Sequence, residues 1–146
     1  MESTKTIERK KVVVIGGGPA GLDAARVAQS RGHQVTLFEE KEQLGGHWSY
    51  TIKPYVVRRQ RELENLGVRL VLGQKVSSSI VEEQDPDVVV ATDEATPIVP
   101  EIPGMRQENV HLADHVLSGE ADLSGSVIVL GGTAAGCRTA VYLREK

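Results

Sequence analysis

The segment Lys11–Gly21, reading Lys-Val-Val-Val-Ile-Gly-Gly-Gly-Pro-Ala-Gly, constrains this chain more than any other. The run Val12–Ile15 is β-branched and does not alternate, the pattern of a parallel strand buried on both faces. It ends in Gly16-x-Gly18-x-x-Gly21, and a helical pattern follows at once. Pro19 suits the first helical turn, where its missing N–H would have no partner anyway. Ala24, Ala25 and Ala28 are small enough to bring this helix close to a sheet, and Gly32 ends it. Strand, glycine turn and helix in this order make a dinucleotide-binding βα unit. Each glycine answers a steric need. Gly16 permits the tight turn, Gly18 lets backbone approach a pyrophosphate, and Gly21 lets helix and strand pack closely. The amides from Ala20 onward, beside Pro19, face the phosphates at the positive end of the helix dipole.

A carboxylate arrives where this fingerprint needs one. Glu39 ends the second predicted strand, Gln34–Glu39, eighteen positions after Gly21; the motif asks for an acidic residue roughly 20 residues on. A carboxylate there accepts both hydroxyls of an adenosine ribose and repels a 2′-phosphate. Glu40 takes the role if the strand runs one residue longer.

The remaining pattern is that of an open α/β sheet. Tyr55–Leu66 is predicted helical, with Val56, Leu63 and Leu66 on one face and Gly67 closing it. Val68–Leu72 and Val88–Ala91 read as strands. Pro97, Pro100 and Pro103, followed by Gly104, make a crossover in extended backbone. Val110–Leu112 reads as a short strand and Asp114–Leu117 as a helical turn. Val127–Leu130 reads as a last strand and Ala134–Lys146 as a last helix. Between them lies a poorer copy of the opening turn, Gly131-x-Thr133-x-x-Gly136. The expected organisation is a leader over 1–10, a dinucleotide-binding unit over 11–104, and a crossover with the first βα of a second nucleotide unit over 105–146, packed with the first.

Composition excludes several classes. A net charge of −3 gives no support for a nucleic-acid partner. Arg58, Arg59 and Arg61 stand beside Glu62 and Glu64 and read as a solvated helix face. The one cysteine, Cys137, cannot form an internal disulfide or a Cys-x-x-Cys pair, which fits a reducing cytoplasm. No apolar stretch approaches the ~20 residues of a membrane span. His111 and His115 have a metal-like spacing. Cys137 reads as a small packing residue. No side-chain acid, base or nucleophile stands out from spacing alone.

The glycine turn, the Val35-Thr-Leu-Phe-Glu39 strand end and Gly45-Gly46-His47 resemble the FAD-binding portion of flavoproteins with two dinucleotide-binding domains. Together with Asp87-Val-Val-Val, Ala95-Thr-Pro-Ile-Val-Pro-Glu-Ile-Pro-Gly104 and Gly136-Cys-Arg-Thr-Ala140, they resemble the C-terminal part of the trimethylamine dehydrogenase and dienoyl-CoA reductase group. The resemblance implies a Rossmann-like FAD/NAD(P)-binding fold with an open parallel sheet and flanking helices. It implies FAD on Gly16–Gly21 and Glu39, with ADP or NAD as alternatives. Gly45, Gly46 and Thr92 would lie near the cofactor, and the Gly131 turn would open an inserted nicotinamide-nucleotide domain; His47 and Trp48 follow the glycine pair and read either as cofactor contacts or as a partly buried loop anchor. The resemblance also implies an ordinary surface stretch at His111 and His115, so no metal is expected.

Four departures from the group's pattern stand out. Asp93-Glu94 follow Thr92 where a glycine is usual, the stretch from Gly46 to Tyr55 is short, Thr133 replaces a glycine, and the sequence stops at Lys146. The expected function is that of a FAD-binding component of a flavin-dependent oxidoreductase, transferring electrons within a larger complex. A partner subunit, a second copy or a longer parent chain would complete the flavin site. The alternative is a non-catalytic ADP- or NAD-binding structural or regulatory subunit.

Overall fold

The computed structural model describes residues 8–46, 49, 52–92 and 97–146. By internal contacts the chain divides into two units, Met1–Ala95 and Thr96–Lys146.

The first unit is built on four parallel strands: β1 (Lys11–Ile15), β2 (Gln34–Phe38), β3 (Arg69–Val71) and β4 (Val88–Ala91). Their order is β3-β2-β1-β4. The chain thus leaves β1 on one side to form β2 and β3, and returns to its other side as β4. The tips of β1 and β4 flank the point where strand order reverses, which is where open α/β sheets bind ligands.

The valines explain the sheet. Val14 is fully buried and pairs with Leu37 on one side and Val90 on the other. Helices α1 (Pro19–Ser30) and α2 (Lys53–Leu66) contribute Leu22, Ala25, Val56 and Leu63 to the same core as Val12, Val14, Val35 and Leu37. Gly67, left-handed at φ 82°, caps α2. Gln29 ties these layers at one end: its amide nitrogen donates to the Leu66 carbonyl and its oxygen accepts from Val35 N–H, each at 3.0 Å. The sheet's bonding starts before β1, because Gln34 N–H donates to the Lys10 carbonyl at 2.8 Å.

Arg59 departs from the solvated face read from its charged neighbours. It reaches from α2 to Asp23 on α1 at 3.4 Å, pairs with Glu62 at 2.6 Å, and donates to the Tyr55 hydroxyl. The Tyr55 and Glu62 contacts hold its guanidinium pKa above the ordinary arginine value. A short helix the pattern did not predict, α3 (Ser78–Gln84), lies between β3 and β4; the Ser77 hydroxyl accepts from Ile80 N–H at its start.

The second unit holds α4 (Ala113–Ser118) and α5 (Ala134–Glu145). Val127–Leu130 and Val110–Leu112 are not strands, a correction to the sequence reading. A strand exists through its ladder, and neither segment has a ladder partner among the described residues; Ile128 is 93% exposed. Asp122 is paired with Lys146 at 2.8 Å, and this neighbouring ammonium holds the carboxyl below its ordinary pKa.

Candidate functional site

The tips of β1, β2 and β4 meet in a cleft of about 470 Å³. Gly16, Gly18 and Pro19 line it on the β1 side, Thr92 on the β4 side, and Glu39, Glu40 and Gly46 on the β2 side. Residues from separate stretches of sequence are therefore brought to one place.

The turn has the shape its glycines require. Gly16 sits at φ +100°, a conformation that L side chains rarely adopt. Its carbonyl oxygen lies where a Cβ on Gly21 would be, so any side chain at 21 would push α1 off the strand. Gly18 is different. It is the N-cap of α1, at φ −69°, and a Cβ there would meet nothing within 4 Å among the described residues. Among the described residues that space is open, at the positive end of a 12-residue helix whose N-cap lines the cleft.

Glu39 lies one residue beyond β2 and is 8% exposed. Its backbone N–H donates to the Val71 carbonyl at 2.9 Å, which fixes the residue beside β3. Its carboxylate accepts on both oxygens, from Gly17 N–H at 2.6 Å and from Lys41 N–H at 2.9 Å. These charge-assisted bonds aim the group at the floor of the cleft. Glu40 is exposed and lines the cleft without that anchoring.

The Gly45–Gly46 pair comes back to the turn. Gly45 N–H donates to the Gly17 carbonyl at 2.7 Å, and a Cβ on Gly46 would lie 3.8 Å from Gly18 Cα. Gly17 is thus bonded on both sides, to the Gly45 amide and to the Glu39 carboxylate. His47, Trp48, Asp93 and Glu94 lie outside the described residues.

Sequence reasoning missed part of the rim. Gln74, Lys75 and Val76 line the cleft beyond β3, and Lys41 lines it as well. No residue type marks this stretch. The strand order would have found it, because β3 neighbours β2 and its outgoing loop must emerge beside Glu39.

The second turn reproduces the first. Gly131 is at φ +107°, Thr133 is the N-cap of α5 at φ −73° and ψ 173°, and a Cβ on Gly136 would overlap the Gly131 carbonyl oxygen. Gly18 has φ −69° and ψ 178° in the first turn. Thr133 makes no side-chain cap bond. Cys137 follows this turn at the sequence offset of Leu22 in the first, but it is exposed where Leu22 is buried, a correction to the packing role read from sequence; its thiol donates weakly to the Gly132 carbonyl. Among the described residues no group of His, Cys, Asp or Glu could hold a metal ion, and no helix is long and apolar enough to cross a membrane.

The chain is similar to proteins of one broad kind. It is 39% identical over 150 residues to an NADH oxidase of Thermoanaerobacter brockii, covering 94% of this chain and 23% of the relative. It is also 39% identical over 150 residues to a bilirubin reductase of Mediterraneibacter gnavus, covering 97% of this chain and again 23% of the relative. A solved complex of 2-naphthoyl-CoA reductase with 2-naphthoyl-CoA superposes with a TM-score of 0.88 at 29% identity, over 98% of this chain and 23% of that one. The chain therefore spans under a quarter of the length of these relatives, and its parallel sheet with flanking helices is a Rossmann-like FAD/NAD(P)-binding fold. Residues 10–146 match the family described as pyridine nucleotide-disulphide oxidoreductase, and the chain belongs to that family.

Proposed function

We propose that this chain is the FAD-binding portion of a flavin-dependent oxidoreductase resembling the trimethylamine dehydrogenase and dienoyl-CoA reductase group, and that it passes electrons within a larger assembly. One observation carries the reading. The glycine turn, the buried Glu39 and the Gly45–Gly46 backbone are hydrogen-bonded to one another around a single cleft at the reversal point of the sheet. Relatives named as an NADH oxidase and a bilirubin reductase support it.

The residues fit an adenine dinucleotide. Gly18 leaves room at the α1 N-terminus for a pyrophosphate, and the amides from Ala20 onward stabilise its charge. Glu39, held rigid by two backbone amides, takes the ribose hydroxyls, with the Gln74–Val76 rim beyond it at the adenosine end. A bound flavin supplies the redox chemistry, while the chain supplies binding and orientation. The Gly131–Gly136 turn is a second nucleotide turn in this reading. Thr133 narrows it, because its Cβ stands where the first turn has only the hydrogen of Gly18. A partner subunit, a second copy or a longer parent chain completes the flavin site.

One sequence observation favours a second reading, that of a non-catalytic ADP- or NAD-binding module. Asp93 and Glu94 follow Thr92 where the flavoproteins that this chain resembles usually have a glycine that lets backbone pass the cofactor. The absorption spectrum of the purified chain, followed by calorimetric titration, separates the two. The first reading expects bound or recoverable flavin, with absorbance near ~450 nm typical of the cofactor class. A colourless chain that binds ADP and refuses FAD overturns it in favour of the second.

A further inference from the structure

Thr92 approaches the glycine turn from the β4 side. Its backbone N–H donates to the Ile15 carbonyl at 2.9 Å, extending the β1–β4 ladder past Ala91. Its hydroxyl donates to the same carbonyl at 2.9 Å and lies 3.3 Å from the Gly16 carbonyl oxygen. A Cβ on Gly16 would overlap Thr92 Oγ1, and one on Gly21 would stand 3.3 Å from it. The three residues interlock.

A hydroxyl has one proton to give. Here that proton is turned inward, onto the backbone of the turn. Toward the cleft, which Thr92 also lines, the oxygen presents only lone pairs. Phosphate oxygens are acceptors too, so oxygen would face oxygen without a proton between them. We infer that Thr92 is a positioning residue and not a phosphate ligand. Its hydroxyl fixes the carbonyls of Ile15 and Gly16 and so sets the direction of the turn whose next amide, Gly17 N–H, is bonded to Glu39. The inference rests on the nucleotide reading of this cleft.

Isosteric Thr92→Val keeps the packing and removes the proton, whereas Thr92→Ser keeps the proton and removes a methyl. Calorimetric titration of the full chain with ADP is expected to show Thr92→Val weakened by about tenfold, the loss of one hydrogen bond's worth of preorganisation, and Thr92→Ser within about twofold of the parent. In the nucleotide-free chain, amide exchange at Gly16–Gly18 is expected to quicken in Thr92→Val and not in Thr92→Ser. Should Thr92→Val fail to fold, Thr92→Ala is read the same way. A parent chain that binds ADP, with Thr92→Val binding equally and exchanging at the parent rate, overturns the positioning role alone. A parent chain that binds neither ADP nor FAD overturns the nucleotide reading, and the exchange experiment then decides the role of Thr92 in the turn by itself.

Discussion

Gly18→Ala separates binding from folding at this site. At Gly16 and Gly21 an added Cβ meets protein: Thr92 at the first, the Gly16 carbonyl at the second. At Gly18 it meets nothing within 4 Å among the described residues, and φ −69° is open to every residue. The folded state therefore absorbs a methyl there without strain. Alanine is a poorer N-cap than glycine, which costs about 0.5–1 kcal/mol. Lower entropy of the unfolded chain offsets about 0.4–1 kcal/mol of this. The net effect is within roughly 0.5 kcal/mol of zero, or about 2 °C in Tm for a chain of this size.

Binding responds differently. The new methyl stands at the helix N-terminus, where in the proposed site the dinucleotide backbone would approach to accept amide hydrogen bonds. Losing one bond to a charged group costs about 1.5–3 kcal/mol, a loss of affinity of roughly 10- to 100-fold. The assay is a thermal melt beside calorimetric titration with ADP and with FAD. Gly21→Ala serves as the contrast, since overpacking against backbone costs about 1–3 kcal/mol or more and lowers Tm as well. A Gly18→Ala chain that binds as tightly as the parent refutes the placement of the pyrophosphate. One that melts as early as Gly21→Ala refutes the reading that the space at Gly18 is free.

Two further outcomes follow from contacts already described. Glu39→Ala deprives Gly17 and Lys41 amides of their acceptor; it is expected to cost about 1–3 kcal/mol of stability and to weaken ADP binding, and an unchanged affinity by calorimetry removes Glu39 from the site. Arg59→Met breaks the link between α1 and α2 and is expected to lower Tm by about 2–4 °C, for a loss near 1 kcal/mol, whereas Arg61→Met, at an exposed position of the same helix, leaves the melt within experimental scatter.

The parts of the fold legible in sequence were those whose cause is local. The Val12–Ile15 run is buried on both faces, so its composition alone marks it as a central parallel strand. Gly16–Gly21 and Glu39 carry steric and chemical needs that only particular residue types meet. The α2 helix shows an apolar face because Val56 and Leu63 are buried. Helix α3 buries no residue and so leaves no periodic trace; Ser77 as N-cap is its one local signal. Val127–Leu130 is the converse case. Its composition matches Val12–Ile15, yet Val14 has a strand on each side and Ile128 has none among the described residues. Strand-like composition states a preference, and the ladder is supplied from elsewhere. The Gln74–Val76 rim and the inward turn of Arg59 were hidden for the same reason, since each depends on which elements become neighbours.

The bond from Gly17 N–H to Glu39 joins two tasks in one atom pair. In the proposed site, the carboxylate that would take the ribose hydroxyls also acts as a strut for the glycine turn. On that proposal, cofactor preference in this chain is not a modular property. A substitution at position 39 chosen to admit a 2′-phosphate also frees a loop amide and slackens the cradle that every dinucleotide shares. Re-engineering toward a phosphorylated cofactor would have to begin with a replacement acceptor for Gly17, and only then with a cation for the extra phosphate.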